Sequence, residues 1–135
     1  MRLSHNFTYS IILCGNFLYI SKTNIETLRQ AVEEQSGFQI ALVPMQPDTF
    51  LNVKIATDAL YENLVKSGFR VLVDDRNQKP KNKFEVIKFL KIPHRLVISS
   101  RSISAGVYEY RNLNTDYFEK VPEKEIMDFM AKVVI

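Results

Sequence analysis

Three short stretches along the chain carry three or more consecutive apolar residues with the look of buried strands: "FQIALVP" (residues 38–44), "FRVLV" (69–73) and "HRLVIS" (94–99). A near-continuous apolar run of this length suits a strand buried on both faces, as in a parallel sheet with helices above and below. Segments of helical period separate the runs. In "VKIATDALYENLVKSG" (53–68), Ile55, Ala59, Leu60, Leu64 and Val65 mark an apolar stripe and Gly68 a stop. Asp48 or Thr49 in "QPDTFLN" is the expected cap. In "NKFEVIKFLK" (82–91), Phe84, Ile87 and Leu90 fall three apart, and Pro93 ends the helix because the residue before a proline is pushed out of helical conformation.

Beyond the third run, "RSISAG" reads as a turn. "VYEYRNL" and "DYFEKV" alternate and read as a final antiparallel pair. Pro122 and "EKEIMDFMAKVVI" form a terminal helix, with proline in its first turn and Glu123 and Glu125 at its positive end. The order β-α-β-α-β, then β-β, then α, predicts an α/β fold: a five-stranded mixed sheet flanked by helices. The expected division is an N-terminal extension over 1–37 and a main domain over 38–135. Within the extension, Tyr9 to Cys14 and Phe17 to Ser21 read as a hairpin around Gly15–Asn16. A helix follows from Ile25, capped by Thr23 or Asn24.

Composition narrows the chemistry. The chain has 135 residues and a formal net charge of +3, mildly basic for a single domain. Its lone cysteine, Cys14, forbids an internal disulfide and favours a reducing compartment, so a cytoplasmic location is expected. His5 and His94 lie far apart and far from Cys14, which gives no metal-ligand spacing. Glycines 15, 37, 68 and 106 stand alone, so there is no glycine-rich phosphate loop, and no serine sits in a nucleophile elbow. The reading is no catalytic residue, no cofactor and no metal. Gly15 and Asn16 interrupt the N-terminal apolar run, which speaks against a secretory signal, and no run is long enough to span a bilayer. Asp74 and Asp75 close the second buried run; as strand neighbours they point to opposite faces and cap a turn more readily than they form an acid/base pair.

The lysines are another matter. Lys79, Lys81, Lys83, Lys88 and Lys91 crowd one connection between two buried strands. On a helix beginning near Pro80, Lys81, Glu85 and Lys88 share a face and Lys91 follows on the same side. Arg76 leads in and Arg95 opens the next strand, with Phe84 nearby. One account is a solvated face in which Glu85 pairs a lysine, a contact worth little. The other is a basic ridge for a polyanion, placed at the ligand-binding edge of the sheet beside the second parallel strand.

From Phe38 onward the chain resembles the C-terminal anticodon-binding domain of class II aminoacyl-tRNA synthetases, most closely the bacterial prolyl type. "FQIALVPM", "ATDALYENLVKSGFRVLVDDR", "KFEVIKFLKIPHRLVISSRSISAGVYEYR" and "VPEKEIMDFM" carry the resemblance. It implies the same mixed sheet, and it implies that the segment after "DDR" approaches a tRNA anticodon. Arg76, Pro80, Lys83, Phe84, Pro93 and Arg95 match the family pattern. The residues expected to bind RNA are Arg76, Lys79, Lys81, Lys83, Phe84, Lys88, Lys91 and Arg95. Lys79, Lys81, Lys88 and Lys91 depart from the family, standing for arginine, glycine, an acidic residue and glycine. A carboxylate accepts from the amino edge of guanine and a lysine cannot, so these replacements favour phosphate contact over base reading. Catalytic-domain motifs are absent, so the chain is expected to bind tRNA, as a truncated or freestanding domain, without aminoacylating it. Expected partners are tRNA, proline type suspected, and a synthetase catalytic subunit or a second copy. The alternative reading is an accessory protein–protein or dimerisation module, with Phe17–Ile20 as a docking strand.

Overall fold

The computed structural model describes residues 2–3, 38–75 and 79–134. The expected hairpin and first helix of the extension, and Arg76, lie outside those residues. Strands β2 (Ile40–Pro44), β3 (Val71–Val73) and β4 (His94–Ile98) pair in parallel. Strands β5 (Val107–Asn112) and β6 (Phe118–Pro122) continue the sheet antiparallel from β4. These are the five strands of the expected mixed sheet. A two-residue strand, β1 (Arg2–Leu3), adds to β3 on the far edge, giving the order β1-β3-β2-β4-β5-β6.

The uninterrupted apolar runs follow from burial on both faces. Ile40, Leu42, Val71, Val73, Leu96 and Ile98 point into one core layer, with Tyr108, Tyr110 and Val121. Ala41, Val43, Leu72 and Val97 point into the other. Helix α1 (Leu51–Lys66) and the terminal helix α4 (Ile126–Val133) cover the first face. Helix α2 (Pro80–Phe89) covers the second with Val86, Ile87 and then Leu90.

Three local expectations need correction. The buried face of α1 is Val53, Thr57, Leu60 and Leu64, spaced four, three and four, and not the stripe through Ile55 and Ala59. Ile55 is 60% exposed and Leu51 68%. The N-cap of α1 is Phe50, which makes no side-chain cap bond, so neither Asp48 nor Thr49 caps it; Asn52 Oδ1 instead accepts from the Val53 N–H at 2.9 Å. Finally, "RSISAG" is not a turn alone. Ser99 and Ser102 form a reciprocal capping box that starts helix α3 (Ser100–Ser104). No helix among the described residues is long and apolar enough to cross a membrane.

Candidate nucleic-acid interface

Helix α2 carries the connection from β3 to β4. Since β2 lies between those strands, the crossover lays α2 across the sheet, with its outer side toward β4 and β5. There a groove of about 630 Å³ opens, lined by Lys81, Phe84, Glu85 and Lys88 of α2, Arg95 of β4, and Arg111, Leu113 and Asp116 at the β5–β6 turn. The basic seam is therefore beside β4 and β5, not beside β3 as the chain order suggested, because the parallel strands are ordered β3-β2-β4.

Arg95 forms the floor. Its guanidinium carbon lies 3.9 Å from the centroid of the Phe84 ring, a cation–π stack. Its Nε is buried and has no hydrogen-bond partner among the described residues. Burial, and after it the charge of Arg111, push the Arg95 pKa below its ordinary value; Asp116 and Glu109 pull it back. Two like charges are thus held as cross-strand partners, since Arg95 and Arg111 face each other in register. Such a pair is unfavourable by itself, and Asp116 and Glu109 compensate it in part. Arg111 is restrained by a 2.7 Å ion pair from Nη1 to Asp116 Oδ1.

The lysines divide by position. Lys81 and Lys88 are exposed and line the groove. Among the described residues neither makes an ion pair, so Glu85 does not neutralise them. Lys79 and Lys91 are exposed at the two ends of α2. The first turn of α2 has no acidic residue, although its free N–H groups and dipole favour one. Positive side chains placed there raise the potential for an anion at some cost to the helix.

Lys83 does not join the ridge. It is 2% exposed, on the inner face of α2, and its ammonium donates to the Pro44 carbonyl at 3.2 Å, at the end of β2. The helical period explains this: Lys83 stands with Val86 and Ile87, which are buried, and not with Lys81 and Lys88. Of the eight sequence-derived site residues, the groove gathers Lys81, Phe84, Lys88 and Arg95.

Sequence reading missed Arg111 and Asp116. The alternation of "VYEYRN" held part of the answer: Tyr108 and Tyr110 are buried while Val107, Glu109 and Arg111 are half-buried, which sets Arg111 on the α2 side of the sheet. Its cross-strand register to Arg95 could not be read from one strand. A second depression, lined by Pro44, Pro47, Asp48, Lys54, Thr57, Asp58 and Asp75, lies at the carboxyl end of β2. No group of three metal-ligating side chains occurs among the described residues.

A comparison with known families fits this geometry. The family model described as "anticodon binding domain" matches residues 39–133, more than half of the chain and all of the sheet from β2 to β6. The chain accordingly belongs to the anticodon-binding domain family of the class II aminoacyl-tRNA synthetase type.

Proposed function

We propose that this domain binds the anticodon stem-loop of a prolyl-type tRNA along the groove between α2 and β4–β5. Membership of the family supports tRNA as the partner class. The observation that carries the placement is the groove itself, which sets a ring-stacked guanidinium beside Arg111 and two unneutralised lysines. RNA loops are read by stacking on aromatic and guanidinium planes, with phosphates held by lysine and arginine. In this reading Phe84 and Arg95 offer flat faces to unpaired bases. Lys81, Lys88 and Arg111 hold phosphates, with Arg76, Lys79 and Lys91 extending the positive field, and Lys83 positions α2. Prolyl type rests on the "LYENLVKSGFRVLVDDR" and "IPHR" resemblance. Lys88, in place of an acidic residue, weights binding toward phosphates, so selectivity among tRNAs should be weak.

The test is a binding titration with proline tRNA and an unrelated tRNA across a range of salt. Affinity is expected near the non-specific range, on the order of 10⁻⁴ to 10⁻⁶ M. Lys81→Glu with Lys88→Glu should weaken binding and flatten the slope against salt by roughly one per lost phosphate contact. Wild-type affinity and slope in that variant would remove the groove from the reading.

The alternative, an accessory protein–protein module, draws on one observation. Leu51 and Ile55 sit one turn apart on the exposed side of α1, next to Phe50. Light scattering of the wild type against Leu51→Asp with Ile55→Asp decides it: a change from oligomer to monomer supports that reading, and an unchanged monomer rejects it.

A further inference from the structure

The buried core under α2 ends at β4, with Phe38, Ala41, Val43, Leu72 and Val97; from beyond it, among the described residues, only Leu113, just past the end of β5, packs against that core. Past that boundary, on the same side of the sheet, β5 and β6 present Glu109, Arg111, Phe118 and Lys120. Phe118 is 43% exposed and Lys120 is exposed. A single exposed aromatic residue is ordinary; the alignment of this one is not. Arg95 pairs with Arg111 across β4–β5, and Arg111 pairs with Phe118 across β5–β6. Residues directly opposite on neighbouring strands share a face. The Arg111 guanidinium lies 5.1 Å from the Phe118 ring centroid, as that of Arg95 lies 3.9 Å from Phe84. The result is one transverse row, Phe84–Arg95–Arg111–Phe118, with a ring at each end and two guanidinium groups between.

We infer that RNA bound in the groove continues across the open face of β5 and β6, and that Phe118 is a stacking platform for an unpaired base at that end. The inference rests on the groove being the RNA site. Neighbouring strands are roughly 4.8 Å apart, so two strand steps carry the row from Arg95 to Phe118. Arg111, clamped by Asp116 and positioned over Phe118, supplies charge beside the ring. A sheet face offering rings between cations suits a single strand, because every base has a π-face and every linkage a phosphate. Glu109 stands opposite Lys120 one pleat along and makes that direction less favourable, which fixes the path on the Arg111–Phe118 row. Tyr117 is an internal control. It is 52% exposed, but its ring approaches Tyr110, whose own ring meets Phe129 on the opposite face.

The chain contains no tryptophan, so Phe118→Trp introduces a single reporter. Titration of that variant with a synthetic anticodon stem-loop RNA should quench its fluorescence saturably, with the midpoint found by anisotropy of labelled RNA. Phe118→Ala should weaken binding by about 5- to 100-fold with an unchanged salt slope, since stacking releases no counterions. Tyr117→Ala should leave affinity unchanged. An unquenched reporter and full affinity in Phe118→Ala, with binding still lost in Lys81→Glu/Lys88→Glu, overturns the stacking row and leaves the groove standing. Full affinity in both sets overturns the groove and the row together. A Phe118→Ala variant that changes oligomeric state but keeps its RNA affinity gives the face to a protein partner and also overturns the inference.

Discussion

The Arg95 guanidinium stacks on the Phe84 ring at 3.9 Å, which ties the beginning of β4 to the helix that makes the crossover. The pair couples fold to function. It holds the groove floor flat and leaves a planar cation facing outward. Lysine cannot replace that arginine, because an ammonium is a compact, strongly hydrated point charge without a stacking plane. Arg95→Lys should therefore weaken tRNA binding by about tenfold or more, as expected for a stacking contact worth about 1–3 kcal/mol. Its stability should fall by no more than about 1–2 kcal/mol. A double-mutant cycle with Phe84→Leu, read by urea denaturation, should give a coupling of about 0.5–2 kcal/mol. Independent effects of the two changes would mean the stack is a contact without energetic weight.

Lys91 occupies a backbone conformation that resists it. Helix α2 ends in a Schellman motif: the Lys91 N–H donates to the Lys88 carbonyl and the Ile92 N–H to the Ile87 carbonyl. Lys91 takes a φ of 57° at the position where α1 has Gly68 with a φ of 92°. The left-handed region costs a non-glycine residue about 1–2 kcal/mol, partly offset because glycine has more freedom to lose on folding. Lys91→Gly should stabilise the domain by about 1 kcal/mol in urea denaturation. It should also reduce the salt dependence of tRNA binding slightly if Lys91 adds to the positive field. A destabilised variant would show that the lysine stem packs well enough to outweigh its backbone strain.

How far the chain could be read depended on whether a feature was local. The three buried runs were legible because burial on both faces leaves no polar position at Ile40–Val43, Val71–Val73 or Leu96–Ile98. Phe84, Ile87 and Leu90 showed their helix by period. On α1 the pattern misled: Ile55 and Ala59 are apolar but exposed, while Thr57 is polar yet buried, its hydroxyl donating to the Val53 carbonyl at 2.7 Å. A hydroxyl that bonds its own helix enters a core without cost to its neighbours, and composition does not announce this. Half of the groove was equally hidden. Arg111 and Asp116 reach Arg95 only through strand pairing, which is a non-local fact.

Lys83 illustrates the difference between a basic residue in a cluster and a basic residue in a site. Its side chain is buried and its ammonium bonds the last carbonyl of β2. Lys83→Met preserves much of the volume but strips that carbonyl of its donor, at a cost of about 1–3 kcal/mol. The loss should appear in denaturation. Amine acylation of the native protein followed by peptide mapping gives an independent check. Lys81 and Lys88 should react and be protected by tRNA, whereas Lys83 should stay unmodified with or without it. Fast modification of Lys83 in the native protein would place it at the surface and return it to the ridge.

His94 gives the domain a pH dependence of known sign. It is 7% exposed at the start of β4, and its Nδ1 lies 2.8 Å from the Tyr110 hydroxyl. Burial lowers its pKa from the ordinary 6.5, and burial raises that of Tyr110, which keeps the phenol protonated beside a neutral ring. The unfolded chain therefore binds the His94 proton at a higher pH than the folded one. Below pH 6.5 the unfolded state gains protons that the folded state refuses, so stability falls as pH falls through the folded value. Above 6.5 this contribution is complete and flat. His94→Gln, which keeps an acceptor for Tyr110, should be less stable than wild type at about pH 7.5 and should close much of that gap at about pH 5.5. The melting temperatures of both proteins, measured across that range in a His5→Gln background, isolate the effect. Parallel curves would show that His94 titrates alike in both states and that its burial leaves its charge unpenalised.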